Sequence, residues 1–426
     1  MLGLVPLANL LTGGHEVPWW RGALLVWTVY GGFLLLVLFA ASERAGGAID
    51  GALDRCRAWM LRPSPFWFAL GAAVVTAAAA SGVALYCYAG RAFTGDEMAM
   101  AWHARILEAG RLSIPAPAHP EFFGGFGVVE NGPRWYSQFP VGGPALLALG
   151  IRLGAIWIVN PLLLGVAAWQ LYRFARCAFG EVTARAATLL FPLTPFVLVL
   201  GATQLGHTAS LALTLTALAE LAAWDASDGR PSLMHAAGLG VAVGAIALVR
   251  PFDAVLVAVP IALFQLTRLR CAPDRAVSIL VQCVAGAVPV ALLLWSNAHT
   301  TGHSLLFAYG AAHGPTHGLG FHVDPTGEVH TPRRGLVYAS GYLMRLNRFL
   351  FEWPLPGLLI VCTTLALQRR ATRWDALLLG LIGAFVVGYG AYWYNGFFDG
   401  PRFLYPVAFA FVLYAARLPE AASAVV

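Results

Sequence analysis

Long apolar segments follow one another along nearly the whole chain, from about residue 22 to residue 417. A helix needs about 20 predominantly apolar residues to cross the roughly 30 Å hydrocarbon core of a bilayer. Only 11% of the 426 residues are charged, whereas a soluble domain carries about 25%. The sequence therefore predicts an all-α, polytopic membrane protein rather than a soluble domain with a single anchor.

We expect about eleven transmembrane helices. The predicted spans are 22–41, 66–89, 143–171, 185–203, 207–224, 234–249, 252–267, 276–296, 353–368, 375–394 and 401–417. Arg250-Pro251 separates the sixth span from the seventh, because proline disfavours helix at the residue before it. We expect an extra N-terminal span with its loop in 1–65, the main transmembrane domain in 66–417 and a short tail in 418–426.

The basic residues cluster in short loops at alternate ends of these spans, and all 27 are arginine. Since positive charge marks cytoplasmic loops, we expect the N-terminus outside and the C-terminus in the cytoplasm. The same rule accounts for the net charge of +6 without a nucleic-acid partner. A lysine-free, alanine-rich composition is typical of a GC-rich bacterial genome, which indicates a bacterial cytoplasmic (inner) membrane. Two long loops, about 90–141 and 298–352, are then extracytoplasmic.

Both long loops are rich in aromatic residues, glycine and proline. Loops of this length are uncommon unless they are functional or disordered, and their aromatic content argues against disorder. We therefore expect them to contain short helices that lie at the membrane surface. One such helix is predicted near 96–110, where Met98, Ile106 and Leu107 could face lipid.

An acidic pair, Asp96-Glu97, follows the second predicted span. A carboxylate among apolar walls and cations can be tuned as a general base, and Asp96 could accept a proton from an acceptor hydroxyl. The structural alternative is that Thr94 or Asp96 caps a helix, with Glu97 in its first turn. These two interpretations do not exclude each other. Shortly afterwards come His103 and Arg105, which are candidate substrate-binding residues.

Each long loop also carries candidate phosphate-binding residues. Arg134 and Tyr136 lie in an aromatic segment, 131–140, which suits a lipid-linked phosphate; an aromatic membrane belt with a solvated arginine is the alternative. Arg345 and Arg348 in the second loop offer planar donor forks that match phosphate. The six histidines of that loop match no common metal-binding pattern, so no metal or other cofactor is expected.

Three further candidates lie at predicted span ends. An ionisable group at such a place is expensive to bury and indicates function by default. For Arg250, a structural ion pair with Asp253 is an equal alternative, and His207 could be a packing residue. Arg402 lies at the outer start of the last span. All three residues, His207, Arg250 and Arg402, are candidate ligands of a substrate phosphate.

In their order along the chain, several segments resemble the integral membrane glycosyltransferases with the C-type fold. That group includes bacterial protein-mannosyltransferase-like and aminoarabinose-transferase-like enzymes. The segments are Asp96-Glu97, 139–144 (FPVGGP), 248–251 (LVRP), 345–354 (RLNRFLFEWP) and 400–406 (GPRFLYP). The resemblance covers roughly residues 66–417, and the extra first span departs from it.

The resemblance implies a sugar transfer on the extracytoplasmic side, from a polyprenyl-phosphate-linked donor to an unidentified acceptor. Asp96 would be the base and Glu97 its support. Arg134, Arg250 and Arg402 would be candidates for the donor phosphate. The main alternative is a transporter or flippase of a lipid-linked envelope precursor, which usually shows inverted repeats and helices broken at the midplane.

Overall fold

A computed structural model describes most of the chain. The described residues are 16–227, 232–269, 273–353, 355–368 and 370–423. The outermost parts of the predicted terminal segments, 1–15 and 424–426, lie outside them, as does Pro354 of the segment 345–354. Within the described residues the chain is mainly helical, as the sequence predicts.

The apolar segments of the first half form helices. α1 joins Glu16–Val26 to Gly32–Leu61 through a π-helical turn, Trp27–Gly31. The next helices are α2 (Pro65–Tyr86), α3 (Gly95–Glu108), α4 (Gly142–Arg152), α5 (Val159–Phe179), α6 (Glu181–Leu190), α7 (Pro195–Gly201) and α8 (His207–Ala226). The prediction of one span at 143–171 is wrong, because Gly154 adopts a left-handed φ of +71° between α4 and α5.

The second half continues this pattern. Its helices are α9 (Leu233–Val249), α10 (Pro251–Leu269), α11 (Ala276–Thr300), α12 (Ala308–His313), α13 (Pro332–Phe349), α14 (Gly357–Leu367), α15 (Arg373–Gly390) and α16 (Ala408–Ser423). A 3₁₀ turn, Arg402–Val407, leads into α16. The predicted boundary at Arg250-Pro251 is confirmed, since Arg250 lies between α9 and α10 with φ −146°.

Six helical segments among the described residues are long and apolar enough to cross a membrane. A seventh is possible if α6 and α7, which meet at a bend of 62°, form one span. The protein is thus a multi-pass membrane protein. Eleven spans remain a prediction, since some predicted spans correspond to shorter helices such as α14, which has 11 residues.

Small residues bring two of the helices into close contact. A Cβ atom on Gly240 of α9 would lie 2.0 Å from the carbonyl oxygen of Gln282 in α11. A Cβ atom on Gly244 would lie 2.4 Å from the carbonyl oxygen of Gly286. Helices in lipid associate through such close backbone packing, because no hydrophobic effect drives them together. Glycines therefore hold the otherwise exposed α11 against the bundle.

The first long loop contains a small antiparallel sheet, so the all-α prediction is wrong there. The strands are β1 (Ile114–Pro115), β2 (Val128–Asn131) and β3 (Arg134–Ser137), in the order β1-β3-β2. Asn131 pairs with Arg134 across a two-residue turn, Gly132-Pro133. Gly132 has φ +59°, which suits a tight hairpin whose first central residue needs a positive φ.

The second long loop contains the short α12, as expected, and also a longer helix that packs into the bundle, contrary to expectation. α13 has 18 residues and buries Tyr338 and Tyr342. It packs on α15 so closely that a Cβ atom on Gly335 would lie 2.4 Å from the carbonyl oxygen of Gly390. α13 therefore packs on the bundle with one face, while residues such as Leu336 on its other face stay exposed.

The helix predicted near 96–110 is confirmed as α3, but its orientation is only partly as expected. Met98 is exposed. Ile106 is buried, and Leu107 packs against a cluster that includes Met100 and Leu147. Leu107 thus faces α4, which covers that side of α3, and the buried Ile106 is not available to lipid either.

Candidate functional site

α3 begins at a capping box that occupies the whole Glu97 carboxylate. Thr94 Oγ1 accepts a hydrogen bond from the Glu97 amide at 3.2 Å. Glu97 Oε2 accepts from the amides of Thr94 at 2.9 Å and Phe93 at 3.0 Å, and Oε1 accepts from the Gln204 amide at 2.6 Å. Glu97 is thus a buried positioning group that fixes the start of α3 against the segment before α8.

Asp96, its neighbour, forms an ion pair with Arg402 instead. Arg402 Nη1 donates to Asp96 Oδ2 at 2.9 Å, and the side chains of Arg402 and Asp96 are 6% and 17% exposed. Arg402 Nε finds no acceptor among the described residues. The capping interpretation therefore holds for Thr94 and Glu97, while the Asp96 carboxylate remains partly accessible for chemistry.

Arg250 belongs to a buried hydrogen-bond network. Its Nε donates to Asp253 Oδ2 at 2.7 Å, and its Nη2 donates to the Tyr389 hydroxyl at 2.7 Å. The Asp253 carboxylate also accepts from Ser210 Oγ at 2.7 Å and from the Tyr389 hydroxyl. The predicted Arg250–Asp253 pair is confirmed. It fixes the junction between α9 and α10, and a ligand contact of the Arg250 guanidinium stays a prediction.

Phe403 connects these two groups. The guanidinium carbons of Arg250 and Arg402 both lie 5.6 Å from the centre of its ring. The ring of His207 stacks on it at 6.2 Å. Neither ring nitrogen of the buried His207 has a hydrogen-bond partner among the described residues. An unsatisfied buried polar group costs about 1–3 kcal/mol, so a ligand that bonds to His207 would recover this free energy. Since two guanidinium groups lie beside the imidazole, the environment suits an anionic ligand.

Asp399 is a residue of this site that the sequence analysis missed as a candidate. It occupies a left-handed turn, with φ +59°, three residues before Arg402. Burial raises the pKa of Asp399 to about 6; Arg402 opposes this shift, and the Glu97 and Asp96 carboxylates add to it. The Asp-Gly pair that begins the 399–406 segment is a turn signal, but it did not indicate a third carboxyl beside Asp96.

The second long loop also covers the site in a way that was not predicted. The rings of Tyr309 and His317 stack at 4.8 Å, and His317 Nε2 lies 3.0 Å from the Tyr392 hydroxyl. His313 Nε2 lies 2.8 Å from Gln138 Oε1 in the first loop. These contacts hold the two loops together above the ends of the helices. No group of three or more potential metal ligands occurs in the described part of the chain.

Two of the predicted arginines lie away from the ion pair. Arg105 is exposed and follows Asp96 by nine residues, which is about 13 Å along a helix at roughly 1.5 Å per residue. Arg134 is exposed on β3, and its nearest hydrogen-bond acceptor is the Thr300 carbonyl at 3.5 Å. The structure thus brings Arg402 and Asp96 together but leaves these two at the periphery.

α13 carries two more predicted arginines. The guanidinium carbon of Arg345 lies 3.7 Å from the centre of the Phe397 ring. Arg348 is exposed, and its guanidinium carbon lies 5.5 Å from the centre of the Phe349 ring. Aromatic stacking is therefore a feature of both residues, and a phosphate contact for either stays a prediction.

His103 and Tyr136 line a small cavity between the loops, together with Gln138 and Tyr309. His103 Nε2 lies 3.1 Å from the Leu112 carbonyl oxygen. Burial lowers the pKa of His103 to about 4, and that hydrogen bond partly opposes the shift. His103 is thus neutral near pH 7. Its hydrogen bond ties α3 to the segment that follows it, and substrate binding by His103 stays a prediction.

No family model and no curated protein matches this sequence. Solved structures do match its fold. ArnT from Cupriavidus metallidurans bound to undecaprenyl phosphate has a TM-score of 0.55 and 14% identity, over 84% of this chain and 61% of that one. Apo ArnT gives 0.53 and 15%, over 82% and 59%. The Archaeoglobus fulgidus oligosaccharyltransferase tethered to an acceptor peptide gives 0.52 and 14%, over 85% and 50%.

These neighbours, an aminoarabinose transferase and an oligosaccharyltransferase, are both C-type-fold membrane glycosyltransferases. The fold resemblance that we expected from the order of the segments along the chain is therefore confirmed. This chain spans about three-fifths of the length of ArnT and half of the oligosaccharyltransferase. At 14–15% identity the likeness concerns the fold.

Proposed function

We propose that this protein is a membrane glycosyltransferase that moves a sugar from a polyprenyl-phosphate donor to an acceptor hydroxyl, with Asp96 as the general base. The observation that carries the proposal is the Asp96–Arg402 contact at 2.9 Å. It joins a partly accessible carboxylate to a guanidinium that can bind phosphate. The ArnT neighbour, which is bound to undecaprenyl phosphate, supports a polyprenyl-phosphate donor.

The transfer is an inverting displacement at the anomeric carbon. The acceptor oxygen attacks that carbon, and the bond to the phosphate oxygen breaks. The acceptor proton passes to Asp96, and polyprenyl phosphate leaves with the bonding electrons. Arg402 lies beside the base and stabilises the charge that grows on the departing phosphate, which is electrostatic preorganisation.

Three residues around Phe403 are proposed to bind the phosphate. Arg402 has an unpaired Nε–H, and both nitrogens of His207 lack a partner within the described residues. Arg250 is held in place by Asp253 and Tyr389, so its guanidinium is already oriented. A phosphate here would satisfy groups that the protein leaves without partners.

The setting of the reaction is likewise a proposal. The lysine-free, alanine-rich composition favours a bacterial inner membrane. The arginine-rich short loops favour an orientation with the N-terminus and this site outside and the C-terminus in the cytoplasm. The acceptor is unidentified. Arg105, Arg134, Arg345 and Arg348 are proposed to meet donor or acceptor at the edge of the site, and we assign them no chemical step.

One observation favours a second candidate, a flippase for a lipid-linked precursor. The bend of 62° between α6 and α7 resembles the broken helices that transporters use. A flippase moves the lipid between leaflets and leaves the sugar–phosphate bond intact. The two candidates therefore differ in whether free polyprenyl phosphate appears.

Reconstitution with a radiolabelled polyprenyl-phosphate sugar tests the proposal, with bacterial envelope membranes as the source of acceptor. We expect release of polyprenyl phosphate and transfer of the label. Lipid movement between leaflets without release would instead support the flippase. Glu130→Gln is a matched control, because Glu130 is an exposed carboxylate of the first loop, on β2, and its loss should leave transfer unchanged.

A further inference from the structure

Three phenylalanines of the first long loop project from the protein surface. Phe122, Phe123 and Phe126 are 79%, 63% and 67% exposed. A soluble surface seldom leaves large apolar side chains grouped in this way, and such patches usually mark a binding surface. We call these three residues the phenylalanine patch.

The phenylalanine patch continues the lipid-facing surface of α2. α2 is one of the helices that can span the membrane, and only 28% of its apolar window is buried inside the protein. Its last turn exposes Leu85 and Tyr86. The chain then reaches α3 within nine residues, past the exposed Phe93. The patch therefore lies close to the level at which α2 leaves the hydrocarbon core.

The charges beside the patch set the depth that it can reach. His119 and Glu121 immediately precede it, are 72% and 61% exposed, and lie 3.2 Å apart. Charged groups are costly in hydrocarbon, whereas aromatic rings are favourable at the boundary between headgroups and acyl chains. This arrangement fits a shallow contact with the bilayer interface and does not fit deep burial.

The patch is also joined tightly to the start of α3. A Cβ atom on Gly95 would lie 2.7 Å from the Phe126 ring, and one on Gly127 would lie 2.9 Å from Ala99 Cβ. Gly95 directly precedes Asp96. A displacement of the patch would therefore be transmitted to the residue that forms the ion pair with Arg402.

From these contacts we infer that the phenylalanine patch inserts into the bilayer interface and anchors the start of α3, with Asp96, at a fixed depth. The partner is the lipid bilayer itself, because the patch is continuous with the surface by which α2 meets lipid. This inference does not depend on the proposed transfer reaction, since it concerns where the segment 93–99 is held.

Photo-cross-linking in lipid nanodiscs tests the contact. A benzophenone amino acid is placed at Phe122 or Phe123, and adducts are identified by mass spectrometry. Val74, on the exposed side of α2, is the positive control, and Glu130, an exposed charged residue of β2, is the negative control. We expect lipid adducts at 122, 123 and 74 and none at 130. Adducts at 74 without any at 122 or 123 would overturn the inference.

Hydrogen exchange in nanodiscs tests the anchoring. The double variant Phe122→Ser/Phe123→Ser should increase amide exchange in 93–99 at least severalfold, while exchange in α9 and α11 stays unchanged and so shows that the bundle is folded. Leu319→Ser is the matched control, because Leu319 is an exposed apolar residue of the second loop. Unchanged exchange in 93–99 of the double variant would contradict the anchoring role.

Discussion

Arg402 donates a hydrogen bond to Asp96 at 2.9 Å, although 306 residues separate the two in the chain. The fold thus places a cation from the start of the last helix beside an acid from the start of α3. If Arg402 stabilises the departing phosphate, its loss removes a donor that acts mainly in the transition state.

Arg402→Ala should lower the transfer rate by a factor of about 10²–10³, the range found when one preorganised donor is removed. Arg402→Lys should restore only part of the rate, since lysine lacks the planar fork. The measurement is release of polyprenyl phosphate under single-turnover conditions. A rate for Arg402→Ala within threefold of the unmodified protein would contradict the role given to this residue.

Asp253 should be far more important for stability than its partner Ser210. Removing Asp253 as alanine leaves the Arg250 charge without its carboxylate, and such a loss costs about 3–5 kcal/mol in a buried pair. Ser210→Ala removes a single hydrogen bond, at about 1 kcal/mol. Denaturant unfolding in detergent measures both. Equal destabilisation by the two variants would show that the network is not held together by the ion pair.

Gly240 should tolerate no side chain. Its added Cβ would lie 2.0 Å from the Gln282 carbonyl oxygen, so Gly240→Ala should cost about 1–3 kcal/mol by overpacking. Gly71→Ala in α2 is the control, because nothing lies within 4 Å of its added Cβ. That change should be neutral or stabilising, since alanine favours helix. Thermal unfolding that is the same for both variants would mean that α9 and α11 are not in close contact.

Stability should fall as pH rises because of Asp399. Burial raises the pKa of Asp399 to about 6 in the folded protein, above the value of about 3.9 expected for an unfolded chain. The contribution of protonated Asp399 is fully present below pH 4 and is lost as pH rises through 6. Asp399→Asn replaces the carboxyl with an amide that does not ionise, so the variant lacks this pH-dependent contribution.

Thermal unfolding between pH 4 and pH 8 tests that sign. The difference in melting temperature between Asp399→Asn and the unmodified protein should increase in favour of the variant as pH rises through the window. Asp324→Asn is the comparison variant. Burial would raise the pKa of Asp324, but hydrogen bonds from Thr326 and Glu328 lower it. The melting-temperature difference for this variant should therefore not shift in its favour as pH rises. A difference for Asp399→Asn that does not change with pH would contradict the raised pKa.

Local patterns predicted the helices well where one physical signal dominated. Apolar length indicated most of the long helices, and a cap at Thr94 or Asp96 with Glu97 in the first turn indicated the start of α3, because helix caps form within the first few residues. The Gly132-Pro133 hairpin escaped notice because strands of four residues carry too short a pattern. The break at Gly154 was missed because apolar residues continue on both sides of it.

The site was predicted less well because its main contacts are not local. Arg402 and Arg134 both follow a proline in an aromatic segment, yet only Arg402 meets Asp96. Nothing near residue 399 in the sequence shows that it lies beside Asp96 and Glu97. The packing of Phe403 against His207 and Arg250 likewise depends on how separate helices meet.

The most direct test of the central claim is the rate of sugar transfer by Asp96→Asn. Asparagine preserves the size of the side chain and one acceptor for Arg402 but cannot take up the acceptor proton. The variant is compared with the unmodified protein in proteoliposomes with a labelled polyprenyl-phosphate sugar, after both give the same thermal unfolding profile. We predict a loss of transfer of at least 10³-fold, with donor binding retained. Transfer by Asp96→Asn at a rate close to that of the unmodified protein would contradict the assignment of Asp96 as the base.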